Sequence, residues 1–381
     1  MSDSATGPRV LFVSKPIAPP WHDGSKNLVR DVATHLTRAV PTVLTTSDAP
    51  SLGPRVKADP IYLESGAFSP GFAANARVMR RLVMGDAQDL WHFVFAPNQG
   101  SSTAARVARR TRRIAGWRGP VIQTIASAPS SFEHVKPWIF GDLVVALTEW
   151  TRARLLAAGV DGKKLRVIPP CAIAPPEPTL EERRKVRERY KLGHGPVVLY
   201  PGDYEVSSGA RIVGRAAATI LRAVPDARVV FACRAKTPES IPARDELVNA
   251  MKVAGYGNRT RHVGEVDDLP ALIAESSVVA FPVDDLFGKV DIPLVLLEAM
   301  ALGVPLILVS GGPLEAVTSA RFVSPGDSEA LACEVVALLS DDRGARGEAD
   351  AGRSLYRSRF HPSVVAAAYD ALYDEALAAR E

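Results

Sequence analysis

The chemistry-bearing residues of this sequence gather around one stretch, DIPLVLLEAMALGVPLILVSGGPLEAV, Asp291 to Val317, an almost unbroken apolar run that carries the carboxylate of Glu298. A carboxylate in such a run either has a polar partner within the protein, a backbone amide or an arginine, or is kept for a ligand. An unpaired buried charge would cost several kcal/mol. The spacing predicts a helix that starts near Pro293 and stops at Gly303, since proline suits a first turn and glycine the position after the last one. Its first turn, from Ile292 through Pro293 and Leu294 to Val295, then offers N–H groups and the positive dipole end to a phosphate or a sugar hydroxyl. One to two turns on, Glu298 can accept both hydroxyls of a ribose. The turn Ser310-Gly311-Gly312-Pro313 follows the next strand and breaks the apolar run.

Cations lie in other loops. Arg234 and Lys236 in ACRAKTP follow one strand of the second half, and Lys289 precedes Asp291. In the first half, SKPIAPPWHDGSKNLVRDV places Asp23, Gly24, Ser25 and Lys26 where a loop opens a helix, with Lys15 nearby. The helix N–H groups there can face an anion. Two histidines, His92 in DLWHFVF and His134 in SSFEHVKPW, are candidates near the cleft, although a lone histidine is more often structural.

These residues need a frame that brings loops together. Short β-branched runs alternate with amphipathic stretches along the chain: 9–14, 41–47, 89–96, 120–125, 142–147 and 165–169, then 196–202, 227–233, 259–264, 277–282 and 305–310. Apolar runs without polar alternation predict parallel strands covered by helices on both faces. The expected fold class is α/β, with two doubly wound Rossmann-like domains facing a central cleft and ligands at the carboxyl ends of the strands. Five prolines between Pro169 and Pro178 mark the connection between the halves. The expected domains are 1–172, a linker with a short helix at 173–195, and 196–361.

Composition bounds the rest. With 47% hydrophobic and 23% charged residues, the chain is ordinary for a globular protein. No apolar run reaches the length of a membrane span, and the N-terminus lacks the pattern of a signal peptide. Three dispersed cysteines match neither a disulfide framework nor a zinc site, and a cytoplasmic protein is expected. Charge is uneven: residues 1–172 hold 22 Lys and Arg against 12 Asp and Glu, whereas residues 173–381 hold 24 against 30. Six arginines fall between Ala105 and Gly119. That helix is either a solvated face or a patch for an anionic surface such as phospholipid headgroups. No recognition motif accompanies the charge, so nucleic acid is not an expected partner.

Taken in order, VGEVDDLPALIAESSVVAFPV, VDIPLVLLEAMALGVPLILVSGGPLE, FVSPGDSEALACEVVALLSDD and YRSRFHPSVVAAAYDALYDEAL resemble the retaining glycosyltransferases of family 4, which have the GT-B fold. The resemblance spans nearly all of the second half and, more loosely, the first, where LTEWTRARLLAAGVDGKKLRVIPP also fits. It implies a nucleotide-sugar donor whose ribose is held by Glu298 and whose nucleotide part meets Ser310, Gly311 and Gly312. It also implies that a closing helix, about 362–379, returns to the first domain.

The sequence departs from that family at several places. The first glutamate of the family's pair falls on Val290, and Asp291 is the nearest carboxylate for the donor sugar. The arginine and lysine that usually grip the diphosphate are replaced by Asp203 and Ser208, which leaves Lys289, Arg234 and Lys236 as substitutes. The family histidine is absent, which turns attention to His92. The expected catalytic set is Asp291, Lys289 and His92, with no metal or other cofactor. The expected reaction moves a hexose-type sugar to a glycan or lipid-linked acceptor with retention of configuration, in the cytoplasm or peripherally at the inner membrane face. The rival readings are a non-catalytic relative that binds a nucleotide sugar or glycan, and a GT-B enzyme of different chemistry.

Overall fold

A computed structural model describes residues 7–64, 71–235, 237–286 and 288–380. The chain divides into two compact units, one made of Met1–Ile173, Phe287–Leu294 and Arg359–Glu381, the other of Ala174–Leu286 and Val295–Ser358.

In the first unit the strands are β1 (Arg9–Val13), β2 (Val40–Thr46), β3 (Lys57–Tyr62), β4 (Leu90–Phe95), β5 (Val121–Ile125), β6 (Leu143–Ala146) and β7 (Leu165–Val167). They form one parallel sheet in the order β3-β2-β1-β4-β5-β6-β7. Between them run α1 (Gly24–His35), α2 (Phe72–Met84), α3 (Gln99–Ile114) and α4 (Glu149–Ala157). The second unit begins with α5 (Leu180–Arg189), followed by β8 (Val197–Tyr200), α6 (Gly209–Ala223), β9 (Arg228–Phe231), α7 (Ser240–Val253), β10 (Thr260–His262), α8 (Leu269–Ala274) and β11 (Val278–Phe281). It continues with α9 (Leu294–Leu302), β12 (Leu306–Val309), β13 (Arg321–Val323), α10 (Ser328–Leu339) and α11 (Asp342–Leu355), and α12 (Pro362–Ala378) closes the chain. Its parallel sheet has the order β10-β9-β8-β11-β12-β13.

The strand order reverses beside β1 in the first sheet and beside β8 in the second, so each unit has a switch point at which loops splay apart. Central strands such as β8, β11 and β12 are buried along their whole length, as sheets covered on both faces require. Two edge strands escaped the sequence reading. β3 exposes Lys57, Ala58 and Pro60, and β13 is only three residues long.

The closing helix belongs to the first unit. On α12, the buried carboxylate of Asp370 accepts the N–H groups of Thr37 (3.0 Å), Arg38 (3.1 Å) and Ala39 (2.9 Å) just beyond the end of α1. Arg38 pairs with Asp374, and Arg166 with Glu375. Deeper in, His92 of β4 bonds Tyr373 of α12 through Nδ1 at 2.8 Å and Thr124 of β5 through Nε2 at 2.7 Å. Thr124 meets the hydroxyl of Tyr369 at 3.1 Å. Each polar atom of this core cluster thus has a partner, the condition for burying it.

Candidate functional site

In the second unit, α9 is apolar on every side, as a helix enclosed by its neighbours must be. It ends as its glycine predicts: Gly303 has φ +70°, Val304 N–H reaches Ala299 O at 2.9 Å, and Gly303 N–H reaches Met300 O at 3.0 Å. Glu298 is half-buried rather than enclosed, so the cost inferred from its apolar surroundings is smaller than the sequence suggests. Pro293 is also half-buried, and Leu294 is buried. Beyond β12, Ser310 Oγ donates to Val323 O at 3.2 Å. Gly311 has φ +81°, and its N–H donates to Glu315 Oε1 at 2.8 Å. Open space surrounds the position a Cβ would take at Gly311 and at Gly312.

The loop after β8 explains how an aspartate replaces a cation. Asp203 is fully buried, and its Oδ1 accepts the N–H of Ser207 at 3.1 Å and the Ser207 hydroxyl at 3.3 Å, ahead of α6. The carboxylate therefore serves the turn that leads into the helix, where the resemblance places a diphosphate. Ser208 Oγ donates to Asp284 Oδ1 at 2.7 Å, which joins the two loops at the switch point, after β8 and after β11.

After β9, the guanidinium of Arg234 lies 3.8 Å from Glu265 and is about a third exposed. Lys236 lies outside the described residues. Beside them the rings of Phe231 and His262 stack at 4.8 Å and 3°, and Tyr204 Oη lies 3.0 Å from His262 Nδ1. Burial, and then the charge of Arg244, push His262 down to about 4. Its Nε2 is buried with no hydrogen-bond partner among the described residues. This aromatic column has no counterpart in the sequence reading, because its three residues come from separate strands and loops.

In the first unit, Asp23 caps α1. Its Oδ1 accepts Ser25 N–H at 2.9 Å, Ser25 Oγ at 2.6 Å and Lys26 N–H at 3.3 Å, and its Oδ2 accepts from Lys15 Nζ at 2.5 Å. Burial alone would push this carboxyl up, but Lys15 and Ser25 outweigh it and hold it below the ordinary range. Lys26 Nζ donates to Pro20 O at 3.3 Å and lies 5.8 Å from the Trp21 ring centre, and burial lowers its pKa. A Cβ on Gly24 would meet the methyls of Val290 at 3.2 and 3.3 Å. The α1 N-terminus is thus engaged by its own aspartate and covered on the Gly24 side by Val290.

Two residues expected to be catalytic have other employment. His92 is buried, both ring nitrogens are bonded, and burial pushes its pKa down to about 3, so it holds the core together. Asp291 is 3% exposed, and its Oδ2 accepts from Thr148 Oγ1 at 2.7 Å and Thr151 Oγ1 at 2.6 Å. Burial raises its pKa, and the two hydroxyls oppose that rise. Lys289 is half-buried in the same short segment. The structure therefore joins Asp23, Gly24, Ser25 and Lys26 in one capped turn beside Val290, and sets His92 apart from it.

The basic helix is also more constrained than its charge implies. Arg106 donates to Pro137 O and Ile139 O, Arg109 to Asp142, and Arg112 to Val83 O and Gly85 O, both at 2.8 Å. Arg110 and Arg113 remain exposed.

Residues 195–341 match the family model described as glycosyl transferases group 1. The chain is 27% identical, over 73% of its length and 74% of the relative's, to a GDP-mannose-dependent alpha-(1-6)-phosphatidylinositol monomannoside mannosyltransferase of Mycolicibacterium smegmatis. It is 28% identical to the Mycobacterium tuberculosis protein of the same name, over 78% of each chain. Among solved structures it resembles Anabaena Alr3699/HepE in complex with UDP and glucose, with a TM-score of 0.74 at 18% identity over 96% of this chain and 99% of that one. It also resembles WaaG, a glycosyltransferase involved in lipopolysaccharide biosynthesis, with a TM-score of 0.61 at 15% identity over 95% and 99% of the two chains. The fold is GT-B.

Proposed function

We propose, from the premise that this chain is a GT-B relative of the glycosyl transferases group 1, that it moves a hexose from a nucleotide-sugar donor to a glycan or lipid-linked acceptor with retention. The observation that carries this reading is the family match over residues 195–341, which contains α9 with Glu298 and the Ser310–Gly312 turn. Glu298, half-buried on α9, holds the ribose of the donor in this reading. The relatives named for GDP-mannose make it the first donor to try, and a phosphatidylinositol-based glycolipid the first acceptor.

Departure of a nucleoside diphosphate builds negative charge, and catalysis then depends on groups arranged beforehand to stabilise it. With Asp203 serving the turn before α6, that task falls to Arg234 and Lys289, with Lys236 in support. The diphosphate itself takes the acceptor's proton, so no pair of catalytic carboxylates is needed. Calorimetric titration of GDP, UDP and ADP into wild type and Glu298→Gln tests the donor half. GDP binding lost in the variant supports it, and equal binding in both proteins overturns the ribose assignment. Product NMR of the anomeric linkage tests retention.

The acceptor half of the proposal includes an anionic membrane surface. No described helix is long and apolar enough to cross a membrane. The outward residues of α2 and α3 instead mix apolar and basic side chains: Phe72 is 91% and Ile114 84% exposed, with Met84, Val107, Arg80, Arg110 and Arg113 also exposed. Arg113 is pushed below its ordinary value, first by the charge of Arg109, so an anion there relieves repulsion. Apolar side chains reaching the acyl boundary beside cations at phosphate level suit a protein lying on a bilayer.

One observation favours a second reading, a nucleotide-sugar-binding relative without transfer. Asp203 and Val290 stand where the family has a cation and a carboxylate, and both are buried in contacts of their own. Donor binding without product formation would distinguish it.

A further inference from the structure

The short segment 288–294 leaves the second unit, belongs to the first, and returns, with the boundary between Leu294 and Val295 inside α9. Two consecutive residues hold it. Val290 packs on Gly24, the first residue of α1. Asp291 binds Thr148, the N-cap of α4, and Thr151 in that helix's first turn.

We infer that residues 288–293 form a strap pinned at two helix N-termini of the first unit, and that Thr148 and Thr151 are positioning residues which, through Asp291, set the placement of Lys289 and of the start of α9. The functional half of this inference rests on the nucleotide-sugar reading above.

The chemistry of the pin is specific. Both threonine hydroxyls point at a single carboxylate oxygen, at 2.7 and 2.6 Å, and all three side chains are buried. Thr148 Oγ1 also accepts the N–H of Thr151 at 3.2 Å, so the donor hydroxyl is itself oriented by the cap it forms. A carboxylate at a helix N-terminus is favoured by the dipole, and hydroxyl donors to an ionised acceptor are among the stronger hydrogen bonds. The chain keeps a buried carboxyl here, where an apolar residue would cost less to bury. That choice fixes the segment's position more sharply than packing alone. Lys289 lies directly before the two pins, so a shift of the strap would displace it.

The test uses the full chain in three forms: wild type, Thr148→Val with Thr151→Val, and Thr148→Ser with Thr151→Ser. Valine preserves shape without a hydroxyl, whereas serine preserves the hydroxyl. In hydrogen exchange, amides of 288–292 should exchange about tenfold faster in the valine form, as expected when both hydroxyl hydrogen bonds to the carboxyl are lost. They should be protected again in the serine form, with β8 to β12 unchanged in both. GDP affinity should fall about tenfold in the valine form and recover with serine. Unchanged exchange in the valine form overturns the strap. Altered exchange with unchanged GDP affinity overturns the positioning role. If wild type binds none of GDP, UDP and ADP, the proposed function fails instead, and the exchange result still decides whether the strap exists.

Discussion

Val290 lies against Gly24: a side chain added at position 24 would meet its two methyl groups at 3.2 and 3.3 Å. Residues 266 positions apart in sequence thus share one contact at the mouth of α1. The contact puts an apolar residue at the place where the family resemblance expects a carboxylate for the donor sugar. A methyl at position 24 would fit only if Val290 gave way by a few tenths of an ångström.

A double-mutant cycle measures that contact. Gly24→Ala should cost about 1 kcal/mol in denaturant unfolding, the usual penalty for a methyl forced into a filled space. In a Val290→Ala background the same change should be neutral or slightly favourable, because alanine suits a helix better than glycine. Equal costs in both backgrounds would show that position 24 does not feel Val290.

His92 predicts a pH dependence of stability. Burial holds its folded-state pKa at about 3, below its ordinary 6.5, so the unfolded chain binds a proton that the folded chain refuses. Its contribution is complete above about pH 6.5 and falls by up to about 1.4 kcal/mol per pH unit as pH drops toward 3. His92→Gln cannot titrate, so the stability advantage of wild type over this variant should shrink steadily between pH 6.5 and 4. A difference that stays constant across that range would contradict the assignment.

Liposome binding separates the exposed arginines from those turned inward. Arg110→Glu with Arg113→Glu should abolish co-sedimentation with vesicles containing a third phosphatidylserine, and salt should weaken wild-type binding, at roughly 1 kcal/mol per basic residue. Arg112→Gln should instead lower stability, since its guanidinium bonds Val83 O and Gly85 O at the end of α2. Ile114→Ser should weaken binding without changing its salt dependence. Wild-type binding that is indifferent to salt, or to the paired glutamates, would reduce this face to ordinary surface.

How much of this was legible in the sequence depends on where the determining contacts lie. The central strands are readable because each is an apolar run buried on both faces. Helix α9 is readable because Pro293 and Gly303 mark its ends locally. Edge strands β3 and β13 are not, since one is largely exposed and the other very short. Charge identifies α3 as basic, but it cannot say which guanidiniums fold back onto carbonyls of other elements. The roles of Asp291 and His92 depend on partners 32 to 281 residues away, Thr124, Thr151 and Tyr373 among them, and local sequence does not say which of these side chains will meet.

The most direct test of the central claim is transfer of radiolabelled mannose from GDP-mannose to a phosphatidylinositol-based glycolipid by the purified full chain, compared with Arg234→Ala and Lys289→Ala. Wild type should incorporate mannose, and each variant should show a kcat lowered about a hundredfold with a smaller rise in KM, because these cations act on charge that develops in the transition state. No incorporation from GDP-mannose or from UDP- and ADP-sugars, by a protein that nevertheless binds the nucleotide, would contradict it and leave a binding protein in place of an enzyme.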